Sequence, residues 1–143
     1  MRFWDASAIV PLLVDEERSA AMRHLVAEDA ELIVWWGTPV ECTSAVRRRE
    51  REGSLDARTT RQALAVLAEL ADSWAQVQPT DAIRAGAARG LAVHPLRTAD
   101  ALQLAAALTW NGTGSARAEV VCMDDRLGAA AAREGLWVLP EPQ

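Results

Sequence analysis

The sequence predicts a single α/β domain with a short central parallel sheet covered by helices on both faces, three layers in all. Three observations predict it. The chain has 143 residues, one domain's worth, of which 50% are hydrophobic and 24% charged, a globular composition. Its candidate strands are short and continuously apolar, the mark of strands buried on both faces. They alternate with segments of helical period, and no linker, repeat or low-complexity stretch divides the chain.

Residues 2–5 read as a strand running into a turn, and 7–14 as a short apolar helix. Residues 16–28 have helical spacing, with Ala20, Met22, Leu25 and Val26 on the apolar side. The run Leu32-Ile33-Val34-Trp35-Trp36 is a fully buried strand ended by Gly37. Thr38 is placed as the N-cap of the next helix, with Pro39 at its first position and Glu41 three after the cap. That helix runs to Glu52 and stops at Gly53. Residues 55–74 form another helix, with Ala63, Val66, Leu67 and Leu70 in phase. A short strand is expected at 75–78 and a helix at 80–91. After His94-Pro95, Thr98 caps a helix over 99–110. Residues 111–115 make a polar, Gly-rich loop. A strand at 119–123, a helix at 124–134 ended by Gly135, and a strand at 136–139 follow, with Pro140 and Pro142 closing the chain.

Composition excludes several function classes. All fifteen basic residues are arginine, so a Walker A loop, a kinase site and Schiff-base chemistry lack their lysine. A net charge of −5 argues against coating nucleic acid by charge alone, but not against a local arginine patch. Cys42 and Cys122 have no metal-ligand companions, and the histidines are only His24 and His94, so neither a zinc site nor a disulfide framework is expected. No apolar run is long enough to span a bilayer. The first residues reach Asp5 before any apolar leader, so the expected home is the cytoplasm.

Functional groups in such sheets gather beyond the carboxyl ends of the strands, near a topological switch point. Acids occupy those ends here. Asp5 ends the first strand, Asp124 and Asp125 end the fourth, and Glu41 lies one turn beyond the second. Asp100 sits on the first turn of a helix that follows another helix, so strand order alone does not bring it to the same place. Singly, each acid is explained as a helix-end device. With Thr38 and Thr98 taken as caps, Glu41 and Asp100 are left over. Several carboxylates in one pocket repel each other and must take up protons or cations. Oxygen ligands without His or Cys suit Mg²⁺ or Mn²⁺, and such clusters suit two-metal hydrolysis of phosphodiesters.

Four pieces of the chain resemble PIN-domain proteins, most closely the toxin ribonucleases of the VapC kind. They are Trp4-Asp5-Ala6-Ser7-Ala8-Ile9-Val10, Thr38-Pro39-Val40-Glu41, Arg97-Thr98-Ala99-Asp100-Ala101-Leu102-Gln103-Leu104-Ala105, and Val121-Cys122-Met123-Asp124-Asp125-Arg126-Leu127. They follow in the family's order over nearly the whole chain. The resemblance implies a PIN-like fold and metal-dependent cleavage of RNA. It further implies a homodimer, and an antitoxin partner whose C-terminal segment lays an arginine in the acidic site. Asp5, Glu41, Asp100 and Asp124 would form the acidic quartet holding Mg²⁺ or Mn²⁺, Ser7 would hydrogen-bond within it, and Asp125 would be an auxiliary acid. The chain departs from the pattern at Cys122, where relatives often carry Ser or Thr. A thiol is a weak donor, which loosens the expected positioning of Asp124.

Arg48 lies seven after Glu41, on the same helix face, and is the candidate phosphate contact of the run Arg47-Arg48-Arg49, set against a solvated face neutralised by Glu50 and Glu52. Arg97 and Arg126 flank proposed ligands and serve either phosphate or a carboxylate. The tryptophans could stack bases, but Trp35 and Trp36 in a buried strand, and Trp74, Trp110 and Trp137 beside apolar runs, read as core or interface. His24 reads as surface. Gly112-Thr113-Gly114 precedes a strand and is no dinucleotide loop. Two other readings stand beside the ribonuclease. One is a PIN module that binds RNA or a partner without cutting. The other is a DNA-directed or flap-type nuclease, for whose added helices the chain has little room.

Overall fold

The computed structural model describes residues 1–112 and 117–141. Of the expected loop at 111–115, residues 113–115 lie outside the described residues, as does Pro142.

Among the described residues five strands, β1 Arg2–Trp4, β2 Leu32–Trp35, β3 Ala75–Val77, β4 Glu119–Val121 and β5 Trp137–Leu139, form one sheet in the order β3-β2-β1-β4-β5. Every pairing is parallel. The helices are α1 Ala6–Leu13, α2 Ser19–Glu28, α3 Thr38–Arg51, α4 Ala57–Ser73, α5 Asp81–Val93, α6 Thr98–Asn111 and α7 Asp125–Arg133. The chain builds outward from β1 to β3, then returns to β4 on the other side of β1. The switch point therefore falls between β1 and β4, at whose carboxyl ends stand Asp5 and the segment leading to Asp124.

The three layers follow from strand alternation. Phe3 registers with Ile33 and Val120, and Trp4 with Val34 and Val121. The first set enters the core shared with α5, α6 and α7. The second enters the core beneath α1, α2, α3 and α4. Successive side chains of a strand point to opposite faces, so strands this short must be apolar throughout to feed two cores. Phe3, Trp4, Ile9 and Val34 are at most 1% exposed, and full burial of such side chains contributes roughly 1.5–3 kcal/mol each. Gly53 and Gly135, at φ of 81° and 90°, end α3 and α7 in the left-handed conformation that favours glycine.

Local signals mislead at four places. Trp36 lies outside β2 and is 53% exposed, because the strand ends at Trp35. On α2, Ala20 is exposed, while Ser19 is buried and its hydroxyl donates to the Val14 carbonyl. Thr38 is not the N-cap of α3. The helix begins at Thr38 itself, Gly37 takes the cap position, and the fully buried Thr38 hydroxyl is used between helices. Thr98 is likewise the first residue of α6, with Arg97 at the cap position and no side-chain cap. Two threonine caps therefore do not free Glu41 and Asp100, and the role of these acids rests on where the fold puts them. The actual side-chain caps are Asp5 on α1, Asp56 on α4, Thr80 on α5 and Asp124 on α7.

Candidate active site

The helices on the two faces of the sheet bring the acids together from opposite sides. Glu41 comes from α3, in the layer with α1 and α4, and Asp100 from α6, in the layer with α5 and α7. Above the carboxyl edge of the sheet they line an open cleft of about 770 Å³ with Asp124 and Asp125. Arg48, Arg97 and Arg126 line the same cleft. Asp5 does not. It is 3% exposed and lies below, where it raises the proton affinity of Glu41 and is itself affected by Asp100.

Asp5 combines two roles. Its carboxylate caps α1, with Oδ2 accepting from the Ser7 backbone N–H at 2.9 Å and from the Ser7 hydroxyl. Ser7 Oγ in turn accepts from the Met123 N–H at 2.8 Å. One serine thus ties the end of β1 to the segment after β4, and Arg18 Nη1 holds the Met123 carbonyl at 3.1 Å from outside. Asp124 caps α7, its Oδ1 accepting from the Leu127 N–H at 2.8 Å. Asp5 and Asp124 are therefore both helix caps, and capping also orients their carboxylates. The Cys122 thiol faces Asp5 Oδ2 at 3.8 Å and the Asp124 carbonyl at 3.4 Å. Burial, then Asp5, push that thiol up, so it stays protonated and acts as a weak donor. Its softness bears on Asp5, while the Leu127 N–H positions the Asp124 side chain.

The electrostatics form one connected set. Burial, then the nearby Asp5 and Asp100, push Glu41 up to about 8, against a lowering by its hydrogen bond from Gln103. Burial raises Asp5, with Asp100 adding to it and the Ser7 hydrogen bonds opposing. Burial and Asp124 raise Asp100, while the Arg97 backbone and the Arg97 and Arg126 charges lower it. Arg48, Arg97 and Arg126 join no ion pair among the described residues. Arg47 and Arg49 pair with Glu50 at 2.9 Å and Glu16 at 2.6 Å. Helical spacing thus separates Arg48, on the cleft, from its neighbours.

Among the described residues no group of three or more His, Cys, Asp or Glu is arranged to hold a metal ion. The donor set nevertheless fits a hard divalent cation in kind. It consists of carboxylates, three of which, Asp5, Glu41 and Asp100, are raised by burial and by a neighbouring acid; His94 is engaged with Glu134 at 2.8 Å, and the nearby thiol is protonated. Mg²⁺ keeps several waters and takes one or two direct carboxylates, so three gathered ligands are not a requirement.

Sequence reasoning passed over Gln103. It is 1% exposed and donates from Nε2 to both Thr38 Oγ1 and Glu41 Oε1 at 3.1 Å. The signal was present: a polar residue three after Asp100, hence on the same helix face, inside the otherwise apolar run Ala101–Ala107.

No protein-family model and no curated protein sequence matches the chain. Solved structures do. PAE2754 from Pyrobaculum aerophilum superposes with a TM-score of 0.61 at 21% identity, over 96% of this chain and 82% of that one. FitAcB from Neisseria gonorrhoeae superposes with a TM-score of 0.59 at 18% identity, over 96% of each chain. At these identities the likeness is one of fold. The chain has a PIN-like three-layer α/β fold.

Proposed function

We propose that this protein is a metal-dependent endoribonuclease, the VapC-like toxin half of a toxin–antitoxin pair, working as a homodimer. The observation that carries the reading is the gathering of Glu41, Asp100 and Asp124 on one cleft above the buried Asp5, with three arginines beside them that join no ion pair among the described residues. Asp5, Glu41, Asp100 and Asp124 would hold Mg²⁺ or Mn²⁺. When bound, the ion supplies Lewis acidity for attack of water on a phosphodiester. The chain's own groups do the rest. Arg48, Arg97 and Arg126 bind the backbone phosphates, Ser7 holds Asp5 in orientation, and Asp125 adds a further carboxylate at the cleft.

The test is cleavage of RNA by the purified protein with Mn²⁺ or Mg²⁺ and with chelator. Cleavage confined to the metal samples is expected. RNA binding without cleavage under both conditions identifies a recognition module instead, and cleavage that chelator leaves unchanged rejects the metal mechanism.

The chemistry of the cleft also supports a reading of the inhibitor. Carboxylates converging without a cation create a negative potential, and a guanidinium matches carboxylate geometry with paired hydrogen bonds. The antitoxin partner places an arginine among the acids, where it competes with the metal. The affinity of the antitoxin's C-terminal peptide should weaken as Mn²⁺ is raised, and again when its arginine is replaced by alanine. Indifference to both changes places the inhibitory contact elsewhere.

A further inference from the structure

Gln103 stands out because its position is a poor one for an amide. It is buried on α6 among Ala101, Leu104, Ala106 and Ala107, and its Oε1 is buried without a hydrogen-bond partner among the described residues. An unsatisfied buried polar atom costs about 1–3 kcal/mol, which an apolar side chain of the same length would avoid. Its two N–H groups are both engaged across the helix interface, on Thr38 Oγ1 and Glu41 Oε1. Thr38 and Glu41 are three apart on α3, as Asp100 and Gln103 are on α6, so each pair shares one helix face. The amide therefore links the two outer layers above the sheet edge. Gln103 and Asp5 also border one small void of about 10 Å³ in the core shared by the sheet, α6 and α7, so the two polar residues lie near each other inside the fold.

We propose that Gln103 is a positioning residue that fixes the Glu41 carboxylate, through its Nε2, in the orientation needed to receive a divalent cation. Anchored on Thr38, the amide cannot follow Glu41 if Glu41 swings away, and Glu41 is held toward the acids that arrive from β1 and α6. Groups that orient a ligand commonly matter to metal affinity by about 10–100-fold. The inference rests on the metal-dependent reading above.

The test is Mn²⁺ affinity, measured by calorimetry or by the loss of the free-ion electron-spin signal, with no RNA present. Gln103→Met keeps length and apolar packing but removes both donors. It should weaken Mn²⁺ binding by about tenfold or more. Gln103→Asn keeps a buried amide that is one methylene too short to reach Glu41, and it should weaken binding similarly. It serves as the second variant if the first does not fold. In a Glu41→Gln background, where affinity is already lower, neither change should lower it further. Equal losses in both backgrounds mean that Gln103 acts independently of Glu41, and the proposal is overturned. Unchanged affinity in the single variants overturns it as well. A parent protein that binds no Mn²⁺ removes the metal reading itself, an outcome distinct from either.

Discussion

Asp5→Asn is expected to lower metal-dependent RNA cleavage by orders of magnitude while leaving the fold intact. The substitution removes the charge at the centre of the acid set but not the structural work of the side chain. Asn caps helices about as well as Asp. Its oxygen can accept from the Ser7 N–H and hydroxyl, as Asp5 Oδ2 does, and its amide takes the other oxygen's place. Burial and Asp100 raise Asp5, so ionising it in the metal-free protein costs more than in water. In chelator at neutral pH the melting temperature should accordingly stay level or rise. Circular dichroism melts beside a cleavage assay check both halves. Parental cleavage rates in the variant would falsify the assignment of Asp5 to the metal site, and a large fall in stability would show that the carboxylate is there for structure.

In chelator, the parent protein should be more stable at pH 5 than at pH 8, and Glu41→Gln should flatten that slope. Glu41 has a folded-state value of about 8, above the ordinary 4.5. The stability tied to its protonated form is therefore complete below the unfolded value and is lost as pH rises through the folded one. The window is roughly pH 4.5 to 8, and Asp5 and Asp100, both raised, act in the same direction. Each tenfold change in proton affinity corresponds to about 1.4 kcal/mol. Because Glu41 is partly open to solvent, screening reduces its share to a few kcal/mol. Gln at position 41 can still accept from Gln103 and has no charge to desolvate. Its melting temperature at pH 8 should exceed the parent's by roughly 5–10 °C and approach it at pH 5. A parent profile flat from pH 5 to 8 would mean that Glu41 is solvated and uncoupled from Asp5.

Much of the fold is legible in the sequence because its signals are local and dense. Leu32-Ile33-Val34-Trp35 and Val120-Val121 are apolar on both faces, and such runs fit a covered parallel sheet. Gly53 and Gly135 mark helix ends because a left-handed residue is needed there. Asp5 follows from the same signals, since an acid directly after a buried parallel strand must emerge at the carboxyl edge, and Asp124 emerges there too although β4 ends at Val121, two residues short of the expected strand end. Arg48, one of three arginines on the cleft, was separable from Arg47 and Arg49 by helical spacing from Glu41. The limits of β2, α3 and α6 were less legible. Trp36 and Trp35 are chemically alike; the Trp36 N–H still reaches the Val77 carbonyl of β3, and only the turn that follows β2 leaves one side chain in the core and the other exposed. Thr38 and Thr98 both carry the local signature of a cap, yet neither caps. Thr38 is buried where Gln103 can use its hydroxyl, and the extended Arg97 takes the cap position of α6.

The sequence by itself determined the class of fold and the acids near two strand ends, and it set which side chains are available: arginine but no lysine, and two cysteines and two histidines far apart in the chain. These depend on residue identity and short-range period, which a linear chain carries in full. The tertiary structure alone decided three things. It placed Asp100 at the cleft, because α6 follows α5 without an intervening strand and its height above the sheet is set by packing on α5 and α7. It buried Asp5 beneath the other acids, because the carboxylate was recruited to cap α1 and bind Ser7. It turned Gln103 into the link between α6 and α3. The partner atoms of that link are 62 and 65 positions away in the chain, and no local pattern encodes which side chain an amide will meet across a helix interface.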